Sequence, residues 1–277
     1  MSTELASQLR DLRRSGCIDE ARALLAQRLA QAAALTTQQA GQAGQAGQAK
    51  QPAPTSPLAS AAQQQRLQHL AWQHAPFWWQ PLQGRSALLR RRGPQDVALL
   101  RAAWQDTDFM QRFNRMAAPL PESDDALRAL LTREHWALPE ESRALHWTIE
   151  AAGQACGCVS VVEISLQHRR AEFLIGVLPT LAPRASPWLA LEASHLVFDF
   201  LATQARLERL TAYFYTDNLA ALRMAEKLGF EREGRLKGYL RLPGEGVRAD
   251  LLVAGLLLDS TYFDKHRRLR QRLLDPA

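Results

Sequence analysis

Apolar and polar residues recur along this chain with two different periods, and the changes of period divide it into segments. In residues 1–35, Leu5, Leu9 and Leu12 fall at helical spacing, and Ala21, Leu24, Leu25 and Leu29 do so again beyond Ser15-Gly16. This spacing predicts two amphipathic helices, a hairpin turned at the glycine. Residues 36–64 follow neither period, contain no aromatic residue and carry Lys50 as their one charge. Such a stretch buries too little apolar surface to offset its ordering entropy, so a flexible low-complexity linker is expected. Residues 65–84 hold Trp72, Phe77, Trp78 and Trp79. Aromatic side chains bury large areas wherever they sit, so this segment is expected to dock against a neighbouring core.

From residue 85 the two periods alternate. Strand patterns are expected at 86–90, 144–150, 158–164, 172–178, 209–215, 233–242 and 248–258, with Gly153 and Gly244-Glu245-Gly246 as turns. Helices are expected from Pro94 through Trp104, at 126–135, at 187–202 and at 219–228. That order predicts an α/β domain, a mixed sheet with helices on both faces, over residues 85–263. Residues 264–277 are read as a basic C-terminal tail, since Lys265, Arg267, Arg268, Arg270 and Arg272 crowd there.

Composition narrows the classes. At 47% hydrophobic and 22% charged over 277 residues, the chain is a globular type and neither fibrous nor wholly disordered. No stretch approaches the roughly 18 apolar residues of a membrane span. The three cysteines, Cys17, Cys156 and Cys158, are an odd count, which fits a reducing compartment, and a cytoplasmic location is expected. Cys156-Gly157-Cys158 has no second pair at ligand spacing, so no metal is expected. The net charge of +6 is mild and partly belongs to the tail, so nucleic acid is not the expected partner.

Two local patterns resemble known families. Gly16-Cys17-Ile18-Asp19-Glu20-Ala21 resembles the turn of a tetratricopeptide repeat, and a single repeat cannot cover its own apolar face. Residues 1–35 are therefore expected to dock on the main domain, self-associate or bind a protein partner. The run Asn218-Leu219-Ala220-Ala221, continuing to Glu226-Lys227-Leu228-Gly229-Phe230-Glu231-Arg232-Glu233-Gly234, resembles the GCN5-related N-acetyltransferase (GNAT) superfamily. Ala171-Glu172-Phe173 and Asp250 make it look most like the ribosomal-protein-alanine (RimJ/RimL-like) branch.

This resemblance implies an acetyl-CoA-dependent N-acetyltransferase that moves an acetyl group to a primary amine: a protein N-terminus, an amino sugar or a small amine. It implies that the backbones of Gly176, Val177 and Leu178 meet the acetyl-pantetheine arm, and that Asn218 hydrogen-bonds it. Asn218 also reads as a helix N-cap. Glu172 occupies the family's acidic position and is the expected catalytic base, with Glu163 and His168 as substitutes; a solvated strand-edge carboxylate is the other reading. His146 is read as a core or rim residue. Where part of the family has a catalytic tyrosine this chain has Ala225.

The diphosphate loop also departs from the family. Its glycines are replaced by Ala185-Ser186-Pro187-Trp188-Leu189-Ala190, so coenzyme A binding is expected to fall to Arg184, Ser186, Trp188, Leu189 and Ala190 around a helix N-terminus. The competing reading is a degenerate, non-catalytic GNAT domain that serves as a protein-interaction module.

Overall fold

The computed structural model describes residues 2–43, 65–66, 68–114, 117–178, 180–181, 188–242 and 248–274. The chain divides into two compact units, Met1–Trp78 and Trp79–Ala277.

In the first unit, α1 (Ser2–Arg14) and α2 (Ile18–Ala43) form the expected hairpin. Gly16 adopts φ +78°, and the Cys17 N–H reaches back to the Leu12 carbonyl at 2.8 Å. That is a glycine C-cap, since a side chain is strained in this left-handed region. Leu5, Leu9, Ala21 and Leu25 pack between the helices, and Leu70 and Ala71 from a helical stretch at 68–73 lie against them. The part of the hairpin's apolar face formed by Leu5, Leu9, Ala21 and Leu25 is thus covered within its own unit. Helix α2 continues to Ala43, past the expected boundary at residue 36. The rest of the expected linker, 44–64, lies outside the described residues. The aromatic segment divides between the units: the Trp78 indole donates to the Trp72 carbonyl at 2.8 Å in the first, and the Trp79 indole to the His135 carbonyl at 3.0 Å in the second.

The second unit is built on an eight-stranded sheet among the described residues, in the order β1-β2-β3-β4-β5-β6-β8-β7. Its strands are β1 (Leu82–Gln83), β2 (Ala87–Arg91), β3 (Leu145–Ala151), β4 (Gln154–Ser165), β5 (Arg170–Val177), β6 (Arg209–Tyr215), β7 (Glu231–Arg241) and β8 (Arg248–Leu257). Neighbours are antiparallel except β5 and β6. On one face, Phe173 and Trp147 meet Phe198 and Phe200 edge-on. Helix α6 (Leu189–Thr203) carries both partners. Helices α3 (Val97–Gln105), α4 (Thr107–Phe113) and α5 (Asp124–Trp136) contribute to the other face, and α7 (Leu219–Lys227) follows β6.

Glu192, in the first turn of α6, is 2% exposed. Its carboxylate accepts the N–H groups of Ser86 and Ala87 at 2.7 and 3.0 Å and the Ser86 hydroxyl, which fixes the start of β2 against the helix.

The chain end differs from the sequence expectation. Residues 260–274 form a helix, α8 (Ser260–Leu274), with Tyr262, His266 and Leu273 buried. The Tyr262 hydroxyl lies 2.9 Å from His195 Nδ1, and Arg270 pairs with Asp199, both on α6. The basic residues therefore decorate a docked helix, because three buried side chains give it an anchored face.

Candidate active site

Strands β5 and β6 are paired over only Arg170–Arg209, Ala171–Leu210 and Glu172–Thr211. Beyond Glu172, β5 continues to Val177 with partners on β4, while β6 continues to Tyr215 with partners on β8. The sheet therefore splits after its third parallel rung, and main chain is left unpaired along both inner edges.

Side-chain alternation decides what surrounds the split. Registers place His146 (β3), Ser160 (β4) and Leu174 (β5) in one row, and Val162, Glu172 and Thr211 in the next. These side chains and those of Tyr213 and Tyr215 share the sheet face that bears α3 to α5. All of these but Thr211, together with Trp104, Phe113, Leu130, Glu134 and Tyr239, line a cavity of about 540 Å³. Tyr213 and Tyr239 stack with centroids 6.4 Å apart and planes 11° from parallel.

Glu172 is half-buried on the last rung before the split. Burial, and then the nearby Glu163 charge, push its carboxyl up to about 7. Glu163 itself pairs with Arg143 at 2.7 Å. It sits at φ +50°, where the β4 register shifts. His168 lies outside the cavity lining, with its N–H on the Ser165 hydroxyl. His146 lines the cavity; its Nδ1 lies 2.9 Å from the Ser160 hydroxyl, and burial with Arg92 and Arg91 nearby holds it well below the usual histidine range. Cys158 also lines the cavity, and burial pushes its thiol up to about 11.

The residues expected to hold the cofactor are placed as follows. Gly176 pairs with Cys158 in regular register. A Cβ on it would lie 2.6 Å from the Phe109 ring and 2.8 Å from that of Phe113. A glycine is needed here so that α4 can lie close over β5. Val177 ends the strand. Leu178 turns into the core, its N–H on the Cys156 carbonyl at 2.7 Å and its carbonyl receiving the Leu181 N–H at 3.1 Å. Asn218 caps α7: its Oδ1 accepts the Ala221 N–H at 3.3 Å, while its Nδ2 donates to the Arg112 carbonyl at 3.2 Å. Trp188 is the N-cap of α6 and is 52% exposed, Leu189 is buried and Ala190 half-buried. Arg184 and Ser186 lie outside the described residues.

Three features of the site were not read from sequence: helix α4, the tyrosines at 213, 215 and 239, and the Arg92–Glu134 ion pair at 2.5 Å. Alternation within the 209–215 strand would have put Tyr213 and Tyr215 on the face of Thr211. Only the register with β5 shows that this face also carries Glu172.

A sheet split between two parallel strands, with a helix following each and a carboxylate at the fork, defines an acyltransferase of the GNAT type. The sequence model of the GNAT acetyltransferase domain family matches residues 87–231. The chain belongs to that family and is an N-acetyltransferase. It is 31% identical over 131 residues to the spermidine N(1)-acetyltransferase of Escherichia coli, covering 47% of this chain and 67% of that protein. Identity to an N-acetyltransferase of Bacillus subtilis is 30% over 109 residues, 38% of this chain and 58% of that one. The crystal structure of a spermidine N-acetyltransferase from Vibrio cholerae in complex with CoA and spermine superposes with a TM-score of 0.53 at 22% identity, over 64% of this chain and 98% of that one. The Escherichia coli and Vibrio cholerae proteins are named for spermidine.

Proposed function

We propose that the protein moves an acetyl group from acetyl-CoA directly to the nitrogen of a small primary amine, with Glu172 as the base. The observation that carries this reading is the Glu172 carboxyl, held up to about 7 at the fork of the sheet. A base with a pKa near the working pH combines a useful ionised fraction with real proton affinity. An ammonium in the cavity gives its proton to Glu172, directly or through one water. The freed amine attacks the thioester carbonyl and a C–N bond forms; the C–S bond then breaks, the sulfur leaves with the electron pair, and the second proton shed by the nitrogen passes to that thiolate.

The main chain of β5 left without a β6 partner along the split, with Gly176 and Val177 at its end and the Asn218 amide as a further polar group, suits the amide-bearing pantetheine arm. Leu189 and Ala190 open the α6 N-terminus toward which the diphosphate would lie. Arg184, Ser186 and Trp188 are proposed neighbours of that anion. A thiolate with an ordinary pKa near 8.5 needs little protonic help to leave, so Ala225 at the tyrosine position is no obstacle. Burial keeps the Cys158 thiol protonated at neutral pH and so a poor nucleophile, which favours direct transfer. The spermidine and spermine in the names of the relatives support a small amine as acceptor.

The test is release of CoA thiol from acetyl-CoA over a panel of amines, with wild-type protein and Glu172→Gln. Amine-dependent release that the variant loses at neutral pH is the expected result. Absence of release with every amine refutes the reading.

A further inference from the structure

The cavity at the fork is electrically two-ended, and this bears on what it accepts. The inference rests on the acetyl-transfer reading of the same site. At one end is Glu172, for which the described residues offer no ion-pair partner, the neighbouring Glu163 being paired with Arg143. At the other is Arg92, just beyond β2. Its N–H donates to the His146 carbonyl at 2.9 Å, which sets it on the row of His146, Ser160 and Leu174. Three strand spacings of about 4.8 Å separate it from Leu174 on β5, and Glu172 lies two residues further along that strand, so the Cα atoms of Arg92 and Glu172 lie roughly 16 Å apart. The two side chains and a body of several carbon atoms fill that gap.

Arg92 is 8% exposed and lines the cavity. Of its guanidinium groups, Nη2 reaches Glu134, and Nε is buried without an acceptor among the described residues. A guanidinium has five N–H donors, and the single carboxylate here leaves it short of acceptors. Its field is felt nearby: besides burial, Arg92 and Arg91 are what keep the His146 imidazole neutral. Between the two ends the walls are mostly apolar, with Leu100, Trp104, Leu174 and Leu251, and the neutral His146 imidazole and the Ser160 hydroxyl are set among them.

We infer that this cavity selects an acceptor with its reacting amine at one end, an apolar body, and an anionic oxygen group at the other end, as in an ω-amino acid. Glu172 receives the amine and Arg92 the carboxylate. A linear polyamine would instead press a second ammonium against the Arg92 guanidinium, in a partly dry site where like charges repel strongly.

A matched series tests this with the full chain at saturating acetyl-CoA: 6-aminohexanoate, hexylamine and 1,6-diaminohexane, which differ only at the far end. From the strength of a charge-assisted hydrogen bond, kcat/KM for 6-aminohexanoate should exceed that for hexylamine by about 10- to 100-fold. The diamine should be the poorest of the three. Equal values, or the diamine ahead, overturn the inference while leaving acetyl transfer in place. If none of the three is acetylated and acetyl-CoA gives no thermal shift, the acetyl-transfer reading falls and this one with it. In the double variant Arg92→Met with Glu134→Met, which leaves no orphan carboxylate, the preference for 6-aminohexanoate over hexylamine should fall to near unity. A preserved preference removes Arg92 from the role. Should the double variant not fold, the wild-type series decides by itself.

Discussion

The base assigned to Glu172 predicts a particular pH dependence. With its carboxyl at about 7, the ionised share rises from about one tenth at pH 6 to about nine tenths at pH 8. If Glu172 takes the proton from a bound ammonium, kcat/KM should climb about tenfold between those values. It should then level off, because an amine of ordinary pKa near 10.4 is still protonated there. Without the base, rate follows the free amine, which increases about a hundredfold between pH 6 and 8 and a further hundredfold, less a little, toward pH 10. Glu172→Gln should therefore lose the bend near pH 7, and its deficit against wild type should narrow steadily above pH 8. The assay is initial-rate release of CoA thiol at saturating acetyl-CoA from pH 6 to 9.5, with a monoamine acceptor. A wild-type profile without the bend, or a variant that keeps it, refutes the assignment. Glu163→Gln gives an internal control: removing the neighbouring charge should move the bend to lower pH.

The same raised carboxyl has a stability consequence. A proton held more tightly in the folded state favours folding at pH below the ordinary value of 4.5, and this contribution is lost as pH rises through about 7. Glu172→Gln should thus raise Tm by about 2 °C relative to wild type at pH 8 and by much less at pH 4.5, read by differential scanning fluorimetry. Acetyl-CoA at 100 times its dissociation constant should stabilise the protein by about 2.7 kcal/mol, roughly 5–10 °C in a scan; no shift at millimolar ligand would revive the degenerate-domain reading. Glu192→Leu leaves the N–H groups of Ser86 and Ala87 without their acceptor and should cost about 2–4 kcal/mol in chemical denaturation, with Glu192→Gln losing less. Gly176→Val should drive Cβ into the rings of Phe109 and Phe113 and displace α4, seen as faster proteolysis of residues 107–113.

Much of the fold was legible because its periods are clean. The strands at 145–151, 170–177 and 209–215 and the helix at 219–227 fall within two residues of expectation. Asn218 was legible as a cap because cap chemistry is local. Helix α4 was missed since Thr107–Phe113 has only seven residues and no buried position to print a stripe. The terminal helix was missed because its charges mask a face of only a few buried side chains. The acceptor cavity was illegible for a different reason. Arg92, His146, Glu172 and Tyr213 come from four separate elements, and only strand register brings them to one face. Glu172 could be named in advance from its match to a family position; its elevated pKa depends on burial and on Glu163, which no local pattern encodes.

The early parting of β5 and β6 also has a bearing on how this sheet avoids its own kind. Unpaired strand edges are usually found at the outside of a sheet, where bulges, charges or proline guard them against pairing with a stranger chain. Here two such edges face each other in the middle of the sheet, and Phe109 and Phe113 lie over Gly176 on one of them. A visiting strand would need room for side chains on both faces. A slender amide chain without them needs none, so the fork can offer strand-like hydrogen bonding to a cofactor without also offering it to another polypeptide.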